Sequence, residues 1–301
     1  MSQSGNGPAA GAGQDAAEQA VTDEVVASFA GTPSPRLREI LESLVRHLHG
    51  FAREVRLTER EWEAAIGFLT RVGHLTTDER QEFILLSDVL GLSMLTVGIN
   101  HPSDGAVTAS TVFGPFFVEG SPRIELGGDA AQGASGEPAY VEGTVRAEDG
   151  TPIPGARIEV WEADDDGFYD VQYDAGRTSG RAHLYSAEDG HYRFWCVKPA
   201  PYPIPDDGPV GELLAAAGRS PMRPAHLHFL VDAPGYRRLI THIFVAGSDH
   251  LEDDAVFGVR PSLIVGFEPQ PAGPGPEGRH LDVPWYRARF DIVLAAERAP
   301  R

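Results

Sequence analysis

The chain carries one cysteine, Cys196, in 301 residues. That excludes an intrachain disulfide and a thiolate metal cluster, and it fits a reducing, cytoplasmic setting. Basic charge is scarce as well: 25 Lys and Arg stand against 44 Asp and Glu, for a net charge of −19. Phosphate binding needs clustered cations, so neither nucleic acid nor an anionic membrane surface is expected as the main partner. No run reaches the roughly 18 apolar residues of a membrane span, so no membrane insertion is expected. The opening MSQSGNGPAAGAGQDAAEQ lacks the basic start and apolar centre of a secretory signal. Residues 1–20 read as a flexible, disordered Gly/Ala tail.

What is present is enough for a core: 42% of residues are hydrophobic and 23% charged. Residues 21–105 have helical periodicity. Leu37, Ile40, Leu41, Leu44, Val45 and Leu48 recur at i, i+3, i+4, i+7, the signature of one amphipathic face. Thr58 with Glu61 has the form of a capping box, and Trp62, Ile66 and Leu69 follow on one face. A third segment, TTDERQEFILLSDVLGLSMLTVGIN, opens with Thr77 or Asp78 as cap. It is apolar over much of its circumference and is expected to be buried or to face another subunit. It places Asp88 on an apolar stripe with Leu85 and Leu92, where a carboxylate is either a paired buried acid or a cavity-lining group.

After Asn100 the character changes. Gly and Pro punctuate short runs of β-type residues, as in an all-β core. AYVEGTVRAEDGTPIPGARIEVWEAD reads as two strands with Asp149-Gly150 as the turn between them. GHYRFWCV, AHLHFLVDA, RRLITHIFVAG and WYRARFDIVLA are further strands. The expected fold is α+β: an N-terminal helical segment followed by a mostly antiparallel β-sandwich over residues 106–301. The Pro-rich stretch from Lys198 to Pro224 reads as a long functional loop.

Two histidines, His226 and His228, alternate with Leu227 inside an apolar run. On a strand, residues i and i+2 share a face, roughly 6.5–7 Å apart at the backbone, which suits two rings converging on one ion. Burying two unpaired imidazoles would cost on the order of 1–3 kcal/mol each, and a shared metal removes that cost. His-x-His also occurs as a satisfied structural pair. Asp164, Asp165 or Asp166 would complete a ferrous site of two histidines and one carboxylate, or a zinc site of a hydrolase. Tyr202, braced by Pro199, Pro201, Pro203 and Pro205, and Tyr169 in DDDGFYD offer phenolate oxygens, hard donors that suit a ferric ion.

Taken together, WEADDDGFYDVQYD, KPAPYPIPDDGPVGELL and RPAHLHFLVDAPGYRRLITHIF resemble the intradiol ring-cleaving dioxygenases, as does TASTVFGPFFVEGSP upstream. The resemblance covers nearly the whole chain except the tail. It implies one Fe(III) per subunit, held by Tyr169, Tyr202, His226 and His228, with O2 and a small aromatic diol or triol as substrates. It further implies that Tyr202 accepts a substrate proton and that Arg223 offsets charge developing on the ring. Within the family, ADDDGFYDVQYD and LITHIF are closer to the enzymes for hydroxyquinol than to those for catechol or chlorocatechols. The catechol enzymes carry glutamine where His242 stands. The implied substrate pocket is Leu85, Asp88, Val112, Phe113, Gly114, Pro115, Phe116, Ile204, Pro205, Arg223, His242 and Val256. Asp88 is placed to hydrogen-bond a third hydroxyl. The helical segment, residues 21–105, is implied to form a homodimer contact and to hold a phospholipid. A β-sandwich binding module with structural histidines is the non-enzyme alternative.

Overall fold

The computed structural model describes residues 9–77, 80–102, 105–173 and 178–297. Alanine has the highest helix propensity, and the stretch AAGAGQDAAEQAVTDEVVAS forms helix α1, Ala9–Ser28. The tail expected over residues 1–20 is therefore helical from Ala9. Tertiary contact supports it: Thr22 is buried, its Oγ1 lies 3.0 Å from His49 Nδ1, and Arg53 Nη1 donates to it at 2.7 Å. Helix α2, Pro35–Val55, starts at the cap Ser34, whose hydroxyl accepts from Leu37 N, and stops where Arg56 turns left-handed at φ 52°. Helix α3, Glu59–Leu75, has the expected capping box: Thr58 N donates to Glu61 Oε2 at 2.9 Å, and Glu61 N to Thr58 Oγ1 at 3.3 Å.

The third apolar segment is two helices, α4 (Glu82–Val89) and α5 (Leu92–Asn100), bent by 78°. Gly91 makes the break at φ 73°, a conformation that costs glycine little. Leu92 consequently leaves the Leu85–Asp88 face and is exposed, while Leu85 and Asp88 are buried. Helix α4 is preceded by Gln81, which makes no side-chain cap; Thr77 Oγ1 instead accepts from Arg80 N, and Asp78 lies outside the described residues. Leu86, Val89 and Met94 are buried, whereas Ile84, Leu90, Leu95 and Ile99 are exposed. No single helix among the described residues is long and apolar enough to cross a membrane.

The strands in chain order are β1 (Pro138–Ala147), β2 (Arg157–Trp161), β3 (Arg181–Tyr185), β4 (His191–Val197), β5 (Tyr202–Pro203), β6 (Met222–Arg223) and β7 (His226–Asp232). They continue as β8 (Leu239–Val245), β9 (Ile264–Val265), β10 (Phe267–Gln270), β11 (Gly273–Pro274), β12 (His280–Leu281), β13 (Trp285–Arg289) and β14 (Ile292–Leu294). One sheet runs β10-β13-β1-β14, with β4 also on β1; the other runs β3-β2-β7-β8-β9. The second is antiparallel except for β8·β9, and the first is mixed because β13 and β14 both lie parallel to β1. The single strand expected from WYRARFDIVLA thus divides in two as it passes Gly143, where a Cβ would collide with the Phe290 carbonyl. Asp149-Gly150 does turn the chain, with Ala147 N donating to Thr151 O at 2.8 Å, but β1 and β2 enter different sheets. The Pro-rich connection likewise contains structure: β5 pairs with β6 around helix α6, Pro209–Ala216.

Alternate residues of the two sheets interdigitate. Val141, Val145 and Phe194 meet Ile158, Val160, Leu227, Phe229 and Val231 in one dry cluster. Burying each such side chain is worth roughly 1.5–3 kcal/mol. By contact density the chain divides into a smaller unit ending at Thr70 and a larger one beginning at Arg71, so α4 and α5 belong with the sheets rather than with the helices before them.

Candidate active site

Leu227, Phe229 and Val231 point into the sandwich, so the period of two sends His226 and His228 to the outer face of the second sheet. Register fixes their neighbours. On β8, His242 lies opposite His228 and Phe244 opposite His226; on β2, Trp161 lies opposite His228. The Trp161 ring stacks on His228 at 4.6 Å and 17°. Loops complete the face. In DDDGFYD, Asp164 Oδ1 accepts from the amides of Asp166 and Phe168, forming the turn that delivers Tyr169. Asp170 then anchors the turn to β3 through a buried salt bridge with Arg181. Tyr202 comes from β5, held in register with Arg223 on β6. Gly167 packs against it at φ 84°, where a Cβ would sit 2.8 Å from Tyr202 Cβ.

The polar atoms of this face converge. Tyr169 Oη lies 3.0 Å from Tyr202 Oη and 2.9 Å from His228 Nε2, and Tyr202 Oη lies 3.3 Å from His226 Nε2. All four side chains are buried. Their protonation follows from their partners. Pro224 O only accepts, so His226 Nδ1, 2.7 Å away, carries the hydrogen, and Nε2 keeps its lone pair. Burial and the Arg223 charge push His226 down to about 3. Burial, with the nearby His242 and His226, also holds His228 well below the usual histidine range. Both imidazoles are therefore neutral, as metal ligands must be. Burial pushes both phenols up, while the Arg223 charge acts to lower Tyr202. Two neutral imidazole nitrogens and two phenol oxygens in mutual contact fit a hard, highly charged metal ion that can displace the phenol protons.

The aspartates do not join this set. Asp165 and Asp166 are exposed, and Asp164 is spent on its turn and on Tyr173 Oη. His242 is close enough to count with His226 and His228 as a triple of candidate donors. Its Nε2, however, lies 2.7 Å from His228 Nδ1 and its Nδ1 lies 2.7 Å from Thr111 Oγ1.

Arg223 is buried, with Nε donating to Asp254 Oδ1 at 3.1 Å and Nη1 to His226 Nε2 at 2.9 Å. Burial alone would lower the Arg223 guanidinium, but Asp254, Tyr202 and Tyr169 together outweigh it and keep the group charged. Nη2 makes no hydrogen bond. A buried cationic donor without a partner is costly unless a ligand uses it.

The other expected pocket residues divide. Leu85, Pro115, Phe116, Ile204 and Pro205 line one cavity of about 430 Å³. Phe116 stacks on Tyr169 at 4.5 Å, so one wall of that cavity touches a donor ring, although none of the four donors lines it. Asp88 is buried within reach of the Arg223 and Asp254 charges, and desolvation raises its carboxyl above the usual range. Gly114 abuts the His228 ring, a Cβ there falling 3.2 Å from Cε1. Val112 and Val256 are buried without lining the cavity, and Phe113 lines a separate hollow with Phe117, Leu230 and Ile240. Sequence reasoning passed over Trp161, Thr111, Asp254 and the Asp170–Arg181 pair. None of them follows from a pattern within its own segment, since Trp161 shares its strand face with Arg157 and Glu159.

Two family models match the chain: "Catechol dioxygenase N terminus" at residues 34–108 and "Dioxygenase" at residues 112–296. The chain is 64% identical over 283 residues to a hydroxyquinol 1,2-dioxygenase of Nocardioides simplex, covering 94% of this chain and 97% of the relative. It is 62% identical over 288 residues to one of Rhodococcus opacus, covering 95% and 96%. The crystal structure of hydroxyquinol 1,2-dioxygenase from Pseudomonas putida DLL-E4 superposes with a TM-score of 0.86 at 45% identity, covering 94% of this chain and all of that one.

Proposed function

Since this chain belongs to the intradiol ring-cleaving dioxygenases, we propose that it binds ferric iron and cleaves hydroxyquinol with O2 between the two adjacent hydroxylated carbons. The product is 3-hydroxy-cis,cis-muconate, which tautomerises to maleylacetate. The observation that carries this reading is the contact of Tyr169 Oη and Tyr202 Oη with each other and with one histidine Nε2 apiece, beside the buried guanidinium of Arg223. Tyr169, Tyr202, His226 and His228 would hold one iron per chain. Bound there, ferric iron supplies a Lewis acid that draws electron density out of an aromatic diol, so that a ring carbon reacts with O2.

The chain's own residues do the rest. The cavity of Leu85, Pro115, Phe116, Ile204 and Pro205, which Arg80, Asp206 and Asp207 also line, takes the flat ring. Tyr202, on the two-residue strand β5 rather than in the main sheet, is the proton acceptor for a diol hydroxyl. Arg223, a buried fixed cation in contact with His226, offsets negative charge developing on the ring oxygens. Asp88, its carboxyl raised by burial, is available as a neutral donor or as an acceptor for the third hydroxyl of hydroxyquinol. Gly114, against the His228 ring, leaves room beside that donor, and Val112 and Val256 pack behind the site without lining the cavity. The exposed apolar stripe of α2 supports a homodimer through the helical region of residues 21–105, and the same kind of surface suits the acyl chains of a phospholipid. Net negative charge fits a cytoplasmic enzyme that binds no nucleic acid.

Colour and oxygen uptake test the reading. The purified protein should be wine-red from phenolate-to-ferric charge transfer, with stoichiometric iron. It should consume one O2 per ring, faster with hydroxyquinol than with catechol. A colourless protein carrying zinc or no metal would remove the dioxygenase reading. Faster turnover of catechol or a chlorocatechol would replace the substrate.

A further inference from the structure

Both ring nitrogens of His242 are engaged, which leaves none for substrate. Nε2 sits 2.7 Å from His228 Nδ1, and Nδ1 sits 2.7 Å from Thr111 Oγ1. All three side chains are at most 2% exposed. The line Thr111 Oγ1–His242–His228–Tyr169 Oη is a continuous run of hydrogen bonds that ends on the convergent oxygens. Only one polarity leaves a lone pair on His228 Nε2. In that polarity His228 Nδ1–H donates to His242 Nε2, and His242 Nδ1–H donates to Thr111 Oγ1. The reverse polarity would place a hydrogen on His228 Nε2 and disable it as a donor to metal.

His226 solves the same problem with a backbone carbonyl, Pro224 O, which admits only one tautomer. His228 has no carbonyl there. Its Nδ1 looks across the sheet to β8, where the register puts residue 242 directly opposite.

We propose that His242, itself held by the Thr111 hydroxyl, is a positioning residue that fixes His228 in the tautomer and orientation whose Nε2 faces Tyr169 Oη. This rests on the metal-centre reading above and deepens it. His242 thereby acts through His228 and touches neither ion nor substrate. Trp161, stacked on the His228 ring, and Gly114, close to its Cε1, limit tilting of the ring, and the His242 bond limits its rotation. A partner of this kind is commonly worth about 10–100-fold in metal affinity.

The test is competition for ferric ion against a chelator of known affinity, using the as-purified holoprotein and the variants His242→Ala, His242→Gln and Thr111→Val. The expected result is iron affinity lower by about 10–100-fold in His242→Ala. Thr111→Val should fall between that variant and the parent. His242→Gln should recover most of the loss, because its amide oxygen can accept from His228 Nδ1–H. The charge-transfer band should persist in every iron-loaded variant, since both phenolates remain. Unchanged iron affinity in His242→Ala would overturn the proposal. So would a Gln variant as impaired as the Ala variant, which would mark His242 as a direct ligand or a packing residue. Failure of the metal-centre reading is a separate outcome: the parent protein itself would then lack iron and colour.

Discussion

Each donor at the site is set by its immediate neighbours, and two predictions follow at that scale. Burial raises both phenols, so each carries its proton until a metal displaces it. Ferric binding must then release a proton from Tyr169 and one from Tyr202, whereas His226 and His228 are already neutral and release none. Iron affinity should accordingly rise with pH across the neutral range, and loading should release about two protons per iron, measurable in weakly buffered solution. Replacing Arg223 by Lys keeps a charge but removes the fork that reaches Asp254 and His226 together. The expected loss in kcat/KM is about 10²–10³-fold, with iron content retained, by oxygen uptake and metal analysis on one preparation. These residues differ in how plainly the sequence announced them. His226 and His228 were visible because a period of two is local. His242 and Trp161 share their face through register, which joins residues far apart in the chain and leaves no pattern within any one segment.

At the scale of elements, the loop bearing Tyr169 depends on a single buried pair. Asp170 accepts from Arg181 Nε and Nη2 and from Ser179 N, and Arg181 Nη2 also donates to Phe116 O. The pair therefore ties together the tyrosine turn, β3 and a cavity wall. Replacing Asp170 by Asn strands a buried guanidinium. The expected cost is about 3–5 kcal/mol in chemical denaturation, with a weaker charge-transfer band as Tyr169 loosens. Element boundaries were the least legible part of the sequence. Gly91 cut one expected helix into α4 and α5 because a left-handed residue terminates helical hydrogen bonding, yet the surrounding pattern stayed apolar. Asp149-Gly150 announced its turn correctly but not its destination, since a turn fixes local direction and the sheets compete for the next strand. Helix α6, at eight residues, is too short to display periodicity within the Pro-rich stretch around it.

Across the whole molecule the helical region leaves apolar surface uncovered. Leu37, Ile40, Leu44, Leu48, Phe51 and Val55 of α2 are each about half exposed, between 46% and 57%. A stripe of that length on a single chain is a liability in water unless another copy covers it. Sedimentation equilibrium should show a dimer at micromolar concentration, and Leu44→Glu should raise its dissociation constant by about 30-fold or more. A monomeric parent protein would remove that interface. Legibility was high at this scale, because the shift from helical to strand character near residue 100 records two ways of burying apolar surface. Compactness draws its border earlier, after Thr70, since α4 and α5 are helical in pattern yet pack with the sheets.

His226 and His228 stand on the outer face of a sheet, with their backs to the packed cluster of Phe229, Leu227 and Ile158. Nothing that binds there needs to enter the interior, and nothing inside needs to give way. Much of the cavity wall comes from connecting segments, with Pro115 and Phe116 on one and Ile204 and Pro205 on another, while helix α4 adds Leu85. Such segments accept replacement far more readily than a close-packed core does. The architecture thereby separates what is reacted from what is folded: substrate choice can drift through loop residues while the sandwich that aims the histidines stays unchanged.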